Sequence, residues 1–138
     1  MRSNMKRRYI DSNVFIQAVL REDIPSQNVL KKIINKEIIA LTSILSWDEL
    51  VYVLRKFTNN EIATMEGKSF LMFPNLIFVE AKKEIIFKAQ KLVEEYNLKP
   101  RDAIHLSTAL SENCEEFISE DSDFDKIKLI KITKPKEF

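Results

Sequence analysis

Short apolar runs of four or five residues alternate along this chain with longer stretches whose apolar residues recur every three or four positions, and this alternation restricts the fold more than any other feature. Arg8 to Ile10 reads as a strand running into Asp11-Ser12-Asn13, after which Val14, Ile16, Ala18 and Leu20 continue as a short helical segment. Ser26 is expected to cap a helix over residues 26–36 carrying Val29, Ile33 and Ile34, and residues 38–42 then read as a buried strand. From Ser43 or Ser46 to Phe57, the residues Trp47, Leu50, Val51, Leu54 and Phe57 form a helical stripe, widened by Tyr52 and Val53, so this helix is expected to be largely buried. Ile62, Met65, Phe70 and Leu71 predict another helix, ended before Pro74, and residues 76–79 a short strand. Residues 82–97 have helical spacing, and Pro100 suits the first turn of a helix reaching Ser111. Phe117-Ile118 enters the acidic turn 120–125, residues 129–132 make a last strand, and Lys134-Pro135-Lys136 is tail. Strands separated by helices predict one α/β domain over residues 1–138, with a central, mostly parallel β-sheet flanked by α-helices. Sites in such sheets collect at the carboxyl ends of strands.

Length and composition exclude several classes. The 138 residues suit one core. A lone cysteine, Cys114, closes no internal disulfide, and with a single histidine it falls short of a structural zinc set. The only glycine, Gly67, rules out a Gly-rich phosphate loop and a dinucleotide fingerprint. No apolar run approaches the roughly 20 residues of a membrane span, so no membrane partner is expected. The basic start (Arg2, Lys6, Arg7, Arg8) meets Asp11 and Asn13 before a signal-peptide core can form, which predicts a cytoplasmic protein. Either Met1 or Met5 suits a start. The net charge of +1 does not by itself announce a nucleic acid, but gathering five acids in one site would leave sixteen acids against 22 basic residues elsewhere.

The carboxylates carry the chemistry. Asp11 follows a strand directly, where a cleft opens; it also suits an N-cap, as do Ser12 and Asn13. Glu49 and its neighbour Asp48 both sit among apolar residues of one helix, where a charge needs a cation or a salt bridge, and periodicity does not choose between them. Asp102 lies in the first turn after Pro100, where the helix dipole alone would favour it. His105, one turn on, reads as a hydrogen-bonded structural residue, since nothing pairs it with a nucleophile. Glu120, Asp121, Asp123 and Asp125 read as a solvated acidic loop. Each residue has a bland account, yet acids at two strand ends, in an apolar helix and at a helix start are all able to converge.

Taken together, these segments resemble the PIN domains, a family that includes the VapC-type toxins of toxin–antitoxin pairs. Tyr9-Ile10-Asp11-Ser12-Asn13-Val14-Phe15-Ile16 is similar to the family's opening strand, and Ser46-Trp47-Asp48-Glu49-Leu50 to its second motif, which selects Glu49 over Asp48. Residues 102–110, beginning Asp102-Ala103-Ile104-His105, resemble the third motif, and Ser119-Glu120-Asp121-Ser122-Asp123-Phe124 the fourth. The resemblance covers nearly the whole chain; Ser107 stands where alanine is commoner in the family. It implies a ribonuclease that hydrolyses RNA phosphodiester bonds at a site made of Asp11, Glu49, Asp102 and Asp121, with Asp123, Asn13 and Ser119 as auxiliary residues. Oxygen-only ligands imply Mg²⁺, with Mn²⁺ as its substitute. Asp11 and Asp102 are expected to hold the principal ion, Glu49 and Asp121 to orient water or recruit a second. Lys99 and Arg101 read as surface charge or as holders of the RNA backbone. An antitoxin and a homodimer are the implied partners, the dimer using apolar surface around Ile33 and Ile34 and around Ile62, Met65 and Phe70. The alternatives are a solitary RNA-processing nuclease and a non-catalytic PIN-fold module that binds RNA or protein.

Overall fold

Five strands pair in one parallel sheet, the first in the middle, with the second and then the third on one side of it and the fourth and then the fifth on the other. The structure, a computed structural model, describes residues 5–138, so Met1, Arg2 and the choice of start at Met1 lie outside the described residues. Strands β1 (Arg7–Ile10), β2 (Ile39–Ser43), β3 (Leu76–Val79), β4 (Glu116–Ile118) and β5 (Lys131–Thr133) are connected through six helices: α1 (Ser12–Leu20), α2 (Ile24–Ile34), α3 (Leu45–Phe57), α4 (Asn60–Leu71), α5 (Lys83–Tyr96) and α6 (Pro100–Ser111). The α/β class with a parallel sheet is therefore as the alternation predicts. Among the described residues no helix is long and apolar enough to cross a membrane.

Because side chains alternate across a strand, neighbouring residues feed opposite cores. Tyr9, Leu41 and Phe117 face α5 and α6, packing with Leu92, Leu106 and Phe124. Ile10, Ala40 and Ile118 face the other way, packing with Phe15 of α1, Ile33 of α2, Leu50 and Leu54 of α3, and Phe70 of α4. The sheet is thus buried on both faces, as a parallel sheet requires.

Several expectations need correction. Helix α2 starts at Ile24: Asp23 is its N-cap, accepting from Ser26, and Pro25 occupies the first turn. It stops at Ile34 because Lys36 adopts φ 58°, which no helix continues through. Helix α3 is not largely buried. Only Ser46, Leu50 and Leu54 are, while Trp47, Tyr52 and Phe57 are 39%, 50% and 63% exposed. The stripe is narrower than its apolar count suggested. Helix α4 lies against α3 closely enough that a Cβ on Gly67 would sit 2.8 Å from Val51 Cγ2 and 3.1 Å from Trp47 Nε1, which accounts for the one glycine. Strand β5 begins at Lys131 rather than Leu129, and the tail folds into a 3₁₀ turn, Pro135–Glu137, with Pro135 buried. Beyond it, the Phe138 carbonyl accepts from Lys32 Nζ of α2 at 2.6 Å. Of the residues expected on an apolar outer surface, Ile33 and Phe70 belong to the core, while Ile34, Ile62 and Met65 are exposed.

The strand order reverses at β1: the chain builds outward through β2 and β3, then returns to add β4 on the other side of β1. A crevice opens at the carboxyl ends of strands at such a switch point. Asp11 leaves β1 there and Ser119 leaves β4 beside it, with Ile10 in register with Ile118 and Asp11 N–H bonded to the Ile118 carbonyl at 3.0 Å.

Candidate active site

Asp11 is 3% exposed. Its extended backbone makes it the N-cap of α1, and Oδ1 accepts from Ser12 N–H at 2.8 Å. Capping does not exhaust the carboxylate. Oδ2 accepts from the Ser119 hydroxyl at 2.7 Å, and Oδ1 lies 3.7 Å from His105 Nε2. Burial raises the Asp11 pKa, against the lowering effect of His105 and of the Ser119 hydroxyl.

Ser119 joins the two strand ends. While its hydroxyl donates to Asp11, Oγ accepts from Asn13 Nδ2 at 3.2 Å and from Asp121 N–H at 3.0 Å. Asn13 Oδ1 accepts in turn from Glu120 N–H at 3.3 Å, so α1 and the acidic turn are tied together. Asp121 caps a 3₁₀ turn, Ser122–Phe124, by accepting from Asp123 N–H at 2.8 Å. The acidic run is an ordered turn, with Glu120 and Asp125 exposed as a solvated loop would have them, and it brings Asp121 and Asp123 to Asp102: one oxygen of each of these three carboxylates lies within 4.8 Å of the others.

Asp102 stands at the third position of α6. A helix-dipole partner has no need to leave water, yet Asp102 Oδ2 is buried without any hydrogen-bond partner among the described residues. Burial, followed by the charges of Asp121, Asp11 and Asp123, raises its pKa to about 7. A buried acceptor without a donor, facing two further carboxylates, fits a hard divalent cation, since the donor set is oxygen alone. Asp11, Asp102, Asp121 and Asp123 thus bear on one crevice.

Glu49 approaches from α3 and is half-buried. Its Oε2 accepts from Ser12 Oγ at 3.2 Å and its Oε1 from His105 Nε2 at 2.5 Å. Asp48 faces outward and pairs with Arg101 at 3.9 Å, while Lys99 pairs with Asp123 at 3.4 Å. Both cations therefore stand at the rim, exposed.

His105 is hydrogen-bonded, as expected of it, but its partners are the site's own. Tyr9, which no motif argument singled out, bonds its other nitrogen: Tyr9 Oη lies 2.5 Å from Nδ1 and accepts from Ser43 N–H at 2.9 Å. Burial acts to lower the His105 pKa; the bond to Glu49 and the charge of Asp11 outweigh it and leave the imidazole above its ordinary value. The signals were the position of His105 one turn after Asp102 and the alternation that puts Tyr9 on the α6 face of β1.

With this geometry established, the PIN domain family model matches residues 8–129, and the chain belongs to that family. Solved structures with the same fold include a toxin–antitoxin complex from Klebsiella pneumoniae (21% identity, 95% of this chain and 99% of that one, TM-score 0.69) and DNA-bound VapBC from Salmonella typhimurium (16%, 95% and 99%, 0.75). A third is the sarcin–ricin loop cleaving toxin VapC20 from Mycobacterium tuberculosis (11%, 86% and 92%, 0.71). No curated protein matches the chain.

Proposed function

We propose that this protein is a nuclease that hydrolyses RNA with a divalent ion, Mg²⁺ or its substitute Mn²⁺, and that it is the toxin of a toxin–antitoxin pair. The observation that carries the reading is the buried Oδ2 of Asp102, without a hydrogen-bond partner among the described residues and set against Asp121 and Asp123. Three carboxylates so close repel one another in the absence of a cation or protons. Membership of the PIN family supports a nuclease, and the VapC20 title, that of a toxin cleaving the sarcin–ricin loop, supports RNA as the substrate class.

In this reading Asp102 holds the ion together with Asp121 in place of the expected Asp11, because Asp121 lies in the same carboxylate cluster while both Asp11 oxygens already have donors; Asp11 stands on the inner side of the crevice and Asp123 at its rim. Glu49 orients a water. When bound, the ion supplies Lewis acidity, lowering the pKa of an attacking water and offsetting charge on the phosphate. Ser119 and Ser12 keep the Asp11 and Glu49 oxygens turned to fixed donors. Lys99 and Arg101 hold the RNA backbone: their exposed pairs with Asp123 and Asp48 are weak, so both side chains are free to turn to phosphate.

An antitoxin chain is the proposed protein partner, supported by relatives solved as toxin–antitoxin complexes. A homodimer through the exposed Ile34, Ile62 and Met65, acting in the cytoplasm, completes the proposal. The test is RNA cleavage by the purified protein with Mg²⁺ or Mn²⁺ against an EDTA control. Cleavage is expected only with the ion, and full activity in excess EDTA would overturn the reading. Light scattering that gives a monomer at micromolar concentration would remove the dimer.

A further inference from the structure

We propose that His105 is a positioning residue that fixes the Glu49 carboxylate for the reaction, with Tyr9 holding His105 in turn; this rests on the metal-dependent reading above. The route runs from the β2 backbone through two fully buried rings to a half-buried carboxylate: Ser43 N–H, Tyr9 Oη, His105 Nδ1, His105 Nε2, Glu49 Oε1. It joins residues 96 positions apart at one link and 56 at the next, so it is a product of the assembled fold and of no local motif.

Hydrogen-bond roles along the route are mutually consistent. Glu49 as a carboxylate only accepts, so Nε2 carries a proton and donates to it. Nδ1 accepts from the Tyr9 hydroxyl when the ring is neutral and donates to the same oxygen when it is charged, and Tyr9 Oη accepts from Ser43 N–H in both forms. The phenol therefore holds the orientation of the ring, with Nε2 turned to Glu49, in either form. Tyr9 has little freedom to turn away, because its ring stacks on Phe117 of β4 with centroids 5.0 Å apart.

A purely structural account leaves the direction of the side chain unexplained. The other buried polar residues in the middle of α6 are satisfied by carbonyls: Ser107 donates to the Ile85 carbonyl at 2.7 Å and Thr108 to the Ile104 carbonyl at 2.7 Å. His105 instead presents Nε2 to a carboxylate on another helix. Ser12 Oγ holds the second Glu49 oxygen, so the carboxylate is gripped at both ends. Each oxygen keeps further acceptor capacity beyond these bonds.

The test compares wild type with His105→Phe, which keeps a ring but removes both bonds, His105→Gln, which restores a donor near Nε2, and Tyr9→Phe. Each protein is assayed for kcat and KM on RNA, for Mn²⁺ affinity by calorimetry, and for melting temperature in EDTA. His105→Phe is expected to lose about 10–100-fold in kcat with KM nearly unchanged and to bind Mn²⁺ more weakly, which is the usual cost of removing such a support. His105→Gln should recover most of that loss, and Tyr9→Phe should show a smaller loss of the same kind. A folded His105→Phe with wild-type kcat and Mn²⁺ affinity overturns the proposal, as does tighter Mn²⁺ binding, which would make His105 a competitor for Glu49. Should His105→Phe fail to fold, wild-type kcat in Tyr9→Phe or no recovery of activity in a folded His105→Gln overturns it instead. A wild-type protein that neither binds Mn²⁺ nor cuts RNA sinks the underlying reading, whereas an active wild type with unaffected variants sinks this inference alone.

Discussion

The two sides of the crevice handle negative charge in opposite ways. On the β1 side, both oxygens of Asp11 and both of Glu49 have donors, from Ser12, Ser119 and His105. On the α6 side, Asp102 Oδ2 has none among the described residues, and its neighbours are Asp121 and Asp123. The protein therefore stabilises one pair of carboxylates by itself and leaves the other group in need of something from solution. A buried charge without a partner is costly, so in the proposed reading the α6 side exchanges stability for affinity toward the ion. The β1 side supplies the rigid frame against which that affinity acts.

Asp102→Asn breaks the comparison most severely. Outer supports of metal sites typically cost about 10–100-fold, and a direct ligand should cost more, so RNA cleavage is expected to fall by on the order of 10²-fold or beyond. Stability should move the other way in EDTA. The Asp102 pKa is raised from 3.8 to about 7, so the folded protein holds its proton more tightly than the unfolded chain does. Its contribution to stability is fully present below about pH 4 and is lost as the pH rises through about 7. Between these limits the wild-type melting temperature should fall relative to that of Asp102→Asn. A parallel pH dependence in the two proteins would show that Asp102 carries no such strain.

Ser119→Ala should act on both function and stability, because it strips a donor from buried Asp11 and an acceptor from Asn13 and Asp121 N–H. A loss of about 1–3 kcal/mol by urea denaturation is expected, with a drop of about 10–100-fold in cleavage rate. Wild-type stability in this variant would show that the frame does not depend on the serine.

Asp48→Asn is the smallest change and sharpens the contrast. Asp48 neighbours Glu49 in sequence, but it faces outward and its pair with Arg101 is exposed on both sides. Such pairs contribute about 0–1 kcal/mol, and the cleavage rate should stay within about 3-fold of wild type, the scale of a weak rim contact. A collapse of activity would mean that periodicity, which could not choose between the two acids, had been settled in favour of the wrong one.

What could be read beforehand followed the range of the interaction. Strand β3 and helix α6 have the expected boundaries, because turn residues and Pro100 mark them locally. Asp11 leaving a strand was legible for the same reason. The burial of α3 was not: an apolar stripe counts residues without saying whether anything lies opposite them, and Tyr52 and Phe57 face solvent. Nor was the partnership of Tyr9, His105 and Glu49, since a histidine in a helix has the same local signature whatever its rings and carboxylates turn out to be. The cap of α2 shows a smaller version of this limit. Asp23 and Ser26 are both good caps, and only the helical start at Ile24 assigns the role to Asp23.

The placement of β4 beside β1 bears on when, during synthesis, the crevice can form. The bond from Ser119 to Asp11 spans 108 residues, and among the described residues no nearer residue donates to that oxygen of Asp11. Contacts of such sequence separation form only after the intervening chain is available to close the loop. On a ribosome, β1, β2 and β3 can be complete while Asp11 still lacks both Ser119 and the turn that carries Asp121 and Asp123. A nascent chain therefore carries its first carboxylate through most of synthesis without a site around it, and the crevice closes only once β4 has emerged and docked.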